Sequence, residues 1–354
     1  MFAQPTIPEF PLGKTSLQGQ TAIITGATSG IGHELGFQLL RLGLSHLIIG
    51  VRSLQRGAAA RLSLLADEEV QKVNPSARVT VLELDLARYE SVVSFAHKIL
   101  DLPEKRLDLL VLNAGINLAE YQETPDGNEA CMQVNLLSNS FLSLLLLPLI
   151  QKTSATYYQA AAETVQRPTI TWLGSMGHAF HSPDLAQLLP SNASILDYFS
   201  SRDTYSRFRR YSDTKLFVIL FVRELADRIA ASSSSSKEGA GVVVVNNVCP
   251  GTVATGADNN LPFYVRIPMN LNRAARGRSV PDGARAVLWA ARGNLQKPGS
   301  AAGWNGVYIA DGKIQEPTPF ANSPEGREFA KKLWAEIVSQ GRKLDGRIGE
   351  GLGN

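Results

Sequence analysis

Seven short β-rich runs recur along this chain, the first of them fully apolar and most carrying apolar residues on both faces, and that constrains the fold more than any other feature. They are TAIIT (21–25), HLIIGV (46–51), RVTVLEL (78–84), LDLLVL (107–112), PTITWLG (168–174), GVVVVNNV (241–248) and GVYIA (306–310). A strand with no polar face cannot border water, so both of its sides must be covered. Helical patterns at 31–43, 54–72, 88–101 and 127–151 separate the first runs. Strands alternating with helices of a dozen residues or more describe parallel crossovers, and right-handed crossovers wind helices onto both faces. The expected class is α/β: a doubly wound parallel sheet of about seven strands in a single domain.

Three stretches interrupt the rhythm: a partly helical connection at 152–167, an insertion at 176–205 and a second one near 256–280. SSSSSKEG (232–239) reads as a low-complexity surface turn. Residues 1–16 form an extended, Pro-bearing arm, 17–320 the body, and 321–354 a C-terminal helix (323–340) and tail. A further amphipathic helix is expected at 281–291. With 44% hydrophobic and 19% charged residues the chain is not disordered, and a net charge of +3 is too small for nucleic acid or an anionic membrane as main partner. Cys131 and Cys249 have no metal or redox spacing; they read as reduced thiols of an intracellular, cytoplasmic protein. The N-terminus lacks the features of a signal peptide, and FLSLLLLPLI (141–150) is too short to span a bilayer, so no transmembrane segment is expected.

TGATSGIG (25–32) follows the first strand and opens a helix, the context a dinucleotide fingerprint requires. Gly26 permits the tight turn, Gly30 a close backbone approach to a pyrophosphate, and Gly32 close helix–strand packing. The helix beginning near Ile31 offers free N–H groups and a positive dipole end to phosphate. Thr25, Thr28, Ser29 and Ile31 complete the candidate contacts. The second strand ends GVRS instead of in an acid. Arg52, beside Ser53, suits a 2′-phosphate, which favours NADP(H) over NAD(H); the alternative is a solvated arginine next to Arg56.

RRYSDTKLF (209–217) puts Tyr211 and Lys215 four residues apart, on one helix face at the mouth of an apolar helix. Taken with LDL (84–86), NAG (113–115), VN (134–135), GSMG around Ser175 and PGTVAT (250–255), the ordered set resembles the short-chain dehydrogenase/reductase family over about residues 17–315. GVRS and the long Ser-to-Tyr spacing resemble its longer retinol-dehydrogenase-like and fungal biosynthetic ketoreductase branches. The resemblance implies a Rossmann-type sheet and a catalytic set of Asn135, Ser175, Tyr211 and Lys215. It also implies that Asp85 and Leu86 lie near the adenine and Asn113, Ala114 and Gly115 along the cofactor. Pro250, Gly251, Thr252, Val253 and Thr255 would frame the nicotinamide amide. On local sequence alone, Asp85 reads equally as a helix N-cap and Asn135 as a polar group inside a helix.

A phenol with a pKa of about 10 is a poor acid–base group at neutral pH. A neighbouring ammonium favours phenolate and lowers that value. Tyr211 is then general acid for carbonyl reduction and general base for alcohol oxidation. Ser175 would hold the substrate oxygen, Lys215 would also bond the ribose, and Asn135 would anchor a water reaching Lys215. Phe180, Leu185, Leu188, Leu189, Ile195, Leu196, Tyr198 and Phe199, with LPFYVRIPMNL (261–271), read as substrate flaps for a bulky hydrophobic carbonyl or alcohol, in secondary-metabolite biosynthesis. The alternative is that both regions pack into the fold or a subunit interface. Tyr205, Arg207, Arg209 and Arg210 could meet a carboxylate or carrier phosphopantetheine. His178, His181 and Asp184 fall short of a metal set and read as rim, so no metal is expected. The helices at 136–150 and 216–229 could pair in a homodimer. A catalytically idle dinucleotide-binding protein and a dehydratase or epimerase are the other readings.

Overall fold

The computed structural model describes residues 4–9, 16–158, 167–188, 193–235, 242–253, 277–292 and 302–350, with Pro262, Ile267, Leu271, Arg273 and Leu352. Among them eight strands form one sheet: β1 Thr21–Thr25, β2 His46–Val51, β3 Arg78–Glu83, β4 Leu109–Leu112, β5 Thr169–Leu173, β6 Val244–Cys249, β7 Val307–Ala310 and β8 Lys313–Gln315. Their order is β3-β2-β1-β4-β5-β6-β7-β8. The first seven are parallel, and β8 folds back antiparallel on β7.

The two-faced apolar strands divide their side chains between two cores. Ile23 joins the core on one face, with Leu110, Leu112, Ile170 and Trp172. Ala22 and Ile24, its neighbours in sequence, join the other, with Leu47, Ile49, Leu109 and Val111. Opposite side-chain direction at successive positions is the strand period, and burial on both sides is what the sequence pattern demanded. The first face carries α4 (Tyr89–Leu100), α5 (Ser138–Tyr157), α7 (Arg210–Ser235) and α10 (Pro324–Leu344). The second carries α1 (Gly30–Arg41), α2 (Leu54–Leu65), α3 (Glu68–Val73) and α8 (Val280–Arg292). The short helices α6 (Ile195–Ser200) and α9 (Pro319–Asn322) lie in connections.

Several expectations need correction. The helix read over 54–72 is two, because Asp67 caps a new one: its Oδ1 accepts from Val70 N at 3.0 Å. The Ser-rich run is no surface turn at its start, since α7 continues to Ser235. Ser232 Oγ donates to Ile229 O at 2.9 Å, so its hydroxyl is satisfied within the helix. The eighth strand has three exposed side chains and no apolar signal. Its signature was the Asp311-Gly312 pair, both with positive φ (53° and 71°), which is the chemistry of a two-residue hairpin turn. Within 132–157, which is apolar and long enough to cross a membrane, 94% of the most hydropathic window is buried inside the fold.

Candidate active site

The strand order reverses between β1 and β4, and the loops leaving β1, β4, β5 and β6 converge at their carboxyl ends on a cleft of about 500 Å³. Such a switch point is where open α/β sheets take ligands. Ile31, Asn113, Gly115, Ser175, Tyr211 and Lys215 line it, and Pro250 to Val253 close one side.

The glycine loop is built around Asn113. Its Nδ2 donates to Thr25 O at 2.8 Å and Gly26 O at 3.1 Å, and Thr25 Oγ1 accepts from Ala114 N at 3.0 Å. A Cβ on Gly32 would lie 2.5 Å from Asn113 Nδ2, so only glycine allows this approach. Gly26 and Gly30 adopt left-handed φ of 70° and 58°. Ser29, at the start of α1, makes no side-chain cap, and no acidic residue occupies the first turn. The N–H groups there are therefore left to whatever anion approaches, which fits a pyrophosphate.

Arg52 is exposed at the end of β2, and no hydrogen bond or ion pair engages its guanidinium among the described residues. Asp85 accepts from Ala87 N through Oδ1 at 3.0 Å, shaping the turn after β3 rather than serving as the cap of α4, which is Arg88. Leu86 is buried beneath it.

Asn135 sits in a π-helical turn, Met132–Leu137, that leads into α5. Its carboxamide clamps one residue of the β4 loop. Oδ1 accepts from Ile116 N at 2.8 Å, and Nδ2 donates to Ile116 O at 2.9 Å and Thr214 Oγ1 at 3.1 Å. Both amide protons are committed, so the side chain ties the loop to α7 and is no proton donor to a water. Lys215 is buried, and its Nζ donates to Leu173 O at 2.9 Å. Burial lowers its pKa to about 8, against the raising influence of Cys249 and Cys131. At neutral pH it remains an ammonium, with two further N–H donors. Nζ lies 5.6 Å from the centroid of the Tyr211 ring.

Ser175 caps the 3₁₀ turn Met176–Phe180, its Oγ accepting from Gly177 N at 3.0 Å. The hydroxyl keeps its own proton to donate. A Cβ on Gly177 would lie 3.1 Å from Ser175 Oγ and 3.4 Å from Tyr211 Cε1, so serine and tyrosine flank one point. Ser182, in the same insertion, bonds instead to Asp213 at 2.7 and 3.0 Å.

His178 was read as rim, and the structure gives it more. It is buried, one ring nitrogen 2.7 Å from Ser175 O and the other accepting from Thr318 N at 3.2 Å. Those bonds place the ring proton on Nδ1, and burial holds the pKa down. His181 bonds to Ser182 O and Thr318 Oγ1, and Asp184 to Gln187, so the three side chains do not converge.

The insertion mostly packs rather than covers the cleft. Leu185, Ile195, Leu196 and Phe199 are in the core and Leu188 against it, whereas Tyr198 is more open. Phe180 faces the cleft, joined by Phe208 and Met176, which sequence reasoning missed; all three are more than half exposed. Tyr205 bonds Leu118 O at 3.2 Å, and Arg207 bonds Ala119 O at 3.1 Å and pairs with Glu120, yet Arg207 still lines the cleft. Arg210 is buried with one donor on Thr204 O, and Arg209 reaches His181 O. Of the second flap, Pro262 lines the cleft and Ile267 and Leu271 are exposed, and Arg273 just beyond it also lines the cleft. Leu189, Thr255 and most of 256–276 lie outside the described residues.

The chain matches the family model of short chain dehydrogenases over residues 20–156. It is 37% identical to the short chain dehydrogenase yanD of Aspergillus niger, over 97% of both chains. It is 35% identical to the short-chain dehydrogenase/reductase tropG of Talaromyces stipitatus, again over 97% of each. A solved structure from Beutenbergia cavernae, with NADP bound at low occupancy, superposes with a TM-score of 0.56 at 21% identity, covering 85% of this chain and 97% of the other.

Proposed function

The chain belongs to the short-chain dehydrogenase family of oxidoreductases, and from that premise we propose that it is an NADP(H)-dependent enzyme interconverting a carbonyl and an alcohol on a bulky hydrophobic substrate. The observation carrying this reading is the meeting of Ser175, Tyr211 and Lys215 in one cleft beside the glycine loop. The reading extends to secondary-metabolite biosynthesis on the resemblance of GVRS and the long Ser-to-Tyr spacing to the fungal biosynthetic branches; the similar dehydrogenases named above are themselves fungal.

The nicotinamide, when bound, supplies or accepts the hydride. The residues proposed to hold the dinucleotide are the 25–32 loop, Arg52, Asp85 and Leu86, Asn113 to Gly115, and the 250–253 loop with Thr255. In carbonyl reduction Ser175 Oγ donates a hydrogen bond to the substrate oxygen, and Tyr211 transfers its phenolic proton to that oxygen as it gains charge. In the reverse direction the phenolate takes the carbinol proton. The buried ammonium of Lys215 stabilises the phenolate through a poorly screened environment. Phe180, Phe208 and Met176 offer an apolar surface to the substrate body, consistent with a hydrophobic carbonyl.

Tyr211→Phe tests the mechanism: NADPH binding persists while carbonyl-dependent NADPH consumption falls about 10²–10⁴-fold, the usual worth of general acid catalysis. Retention of more than about a tenth of the wild-type rate overturns it. Product formed without net NADPH consumption points to a dehydratase or epimerase instead. Exposed Arg52 supports the 2′-phosphate preference. Arg52→Ala should weaken NADPH about tenfold or more and leave NADH unchanged, since a charge-assisted bond is what it removes. Equal titration of both cofactors by the wild-type protein refutes the preference.

A further inference from the structure

We propose that the segment Gln4–Pro8 is a strap that sets the Pro250–Val253 loop, with Gln4 the positioning residue; this rests on the reading of that loop as the nicotinamide-side wall. Gln4 reaches Thr252 across 248 positions of sequence. Its Oε1 accepts from Thr252 N at 2.9 Å, and its Nε2 donates to Thr252 O at 3.2 Å. One carboxamide thus serves both backbone groups of one loop residue, as an adjacent strand would. The next residue back is Gly251, with φ 87°. A Cβ there would lie 2.2 Å from Gln4 Oε1 and 2.4 Å from an Arg278 nitrogen, so the strap fills the space that glycine leaves.

Arg278 locks the same corner. Its guanidinium donates to Pro250 O at 3.2 Å, Pro5 O at 2.8 Å and Asp311 at 2.6 Å, while its backbone N donates to Thr252 O at 2.8 Å. Farther along, Ile7 is fully buried in the second core. Ile7 O accepts from Arg285 at 3.3 Å, and Pro8 O from Trp289 Nε1 at 2.8 Å. The loop is held from behind by the strap while its other side lines the cleft. A loop fixed before binding loses less conformational freedom when a ligand orders it.

Gln4 meets the Pro250–Val253 loop through Thr252, on the wall read as the nicotinamide side, which gives a test by cofactor fragments. Dissociation constants for NADPH and for adenosine 2′,5′-bisphosphate are measured by protein fluorescence on wild type and Gln4→Ala, with amide exchange followed at Thr252. Expected is a rise of about tenfold in the NADPH constant of Gln4→Ala, from the loss of two hydrogen bonds. The fragment constant stays unchanged, and exchange at Thr252 is faster. KM for NADPH rises with it, while kcat at saturation stays within about twofold, because the chemical groups are untouched. Equal NADPH constants in both proteins overturn the strap, and so does equal weakening of NADPH and fragment, which marks a general structural defect. If neither ligand binds the wild-type protein, it is the dinucleotide reading that fails. Removing residues 1–9 also strips Ile7 from the core, so Gln4→Ala is the decisive variant.

Discussion

Lys215 shows at the scale of one residue how function and stability oppose each other. Its pKa is lowered to about 8 by burial, against the ordinary 10.5. Below about pH 8 the fold therefore carries a cation that the unfolded chain solvates better. From there to about 10.5 the unfolded state binds more protons, so stability rises with pH through this window. Lys215→Met should raise Tm at pH 7 even though Leu173 O loses its donor, with a gain that fades as pH approaches 10.5. Turnover should be lost. A melting curve in which the variant is less stable at pH 7, or equally favoured at both pH values, contradicts this account of the buried charge.

Among the elements, the π turn before α5 shapes the cleft from behind, through Asn135. It turns Asn135 onto Ile116 and Thr214, joining the loop after β4 to the helix that carries Tyr211 and Lys215. Asn135→Ala strands Ile116 N and leaves Ile116 O only the weak thiol donor of Cys131 at 3.8 Å. A loss of about 1–3 kcal/mol is expected, measurable by denaturant unfolding, with kcat falling because α7 is no longer tied to the loop. The central parallel strands were legible because burial on both faces leaves apolar runs, while β3, partly exposed, was legible from the β-rich run that follows a helix. The glycine loop and the Tyr211–Lys215 pair were legible because they are local patterns next to a strand end or within one helix turn. What escaped was written across the sequence: Gln4 against Thr252, His178 against Thr318, and the ring of Phe208 at the cleft have no local periodicity to announce them. The insertion misled for a related reason, since apolar residues at 185–199 look alike whether they cover a cleft or fill a core.

For the molecule as a whole, α10 decides which surface remains. The apolar helices α5 and α7 could have met a second subunit, but α10 lies against α4, α5 and α7. A ladder of rings runs outward from the sheet: Trp172 to Phe221 at 5.5 Å, and Phe221 stacked on Trp334 at 5.1 Å. Phe329 packs on Phe217 at 5.2 Å and is fully buried. Aromatic pairs of this kind add to the area they bury. A homodimer through what α10 leaves of that face is tested by sedimentation: a stable species of twice 38.3 kDa supports it, and 38.3 kDa alone refutes it. Phe329→Ala should cost about 3–5 kcal/mol and bring self-association as the covered face opens. The contact between Gln4 and Thr252 has a temporal side as well. On the ribosome the glutamine emerges 248 residues ahead of its partner. A nascent chain that has already made β1 to β5 still lacks the loop after β6, so one wall of the cleft is missing until Val253 has emerged.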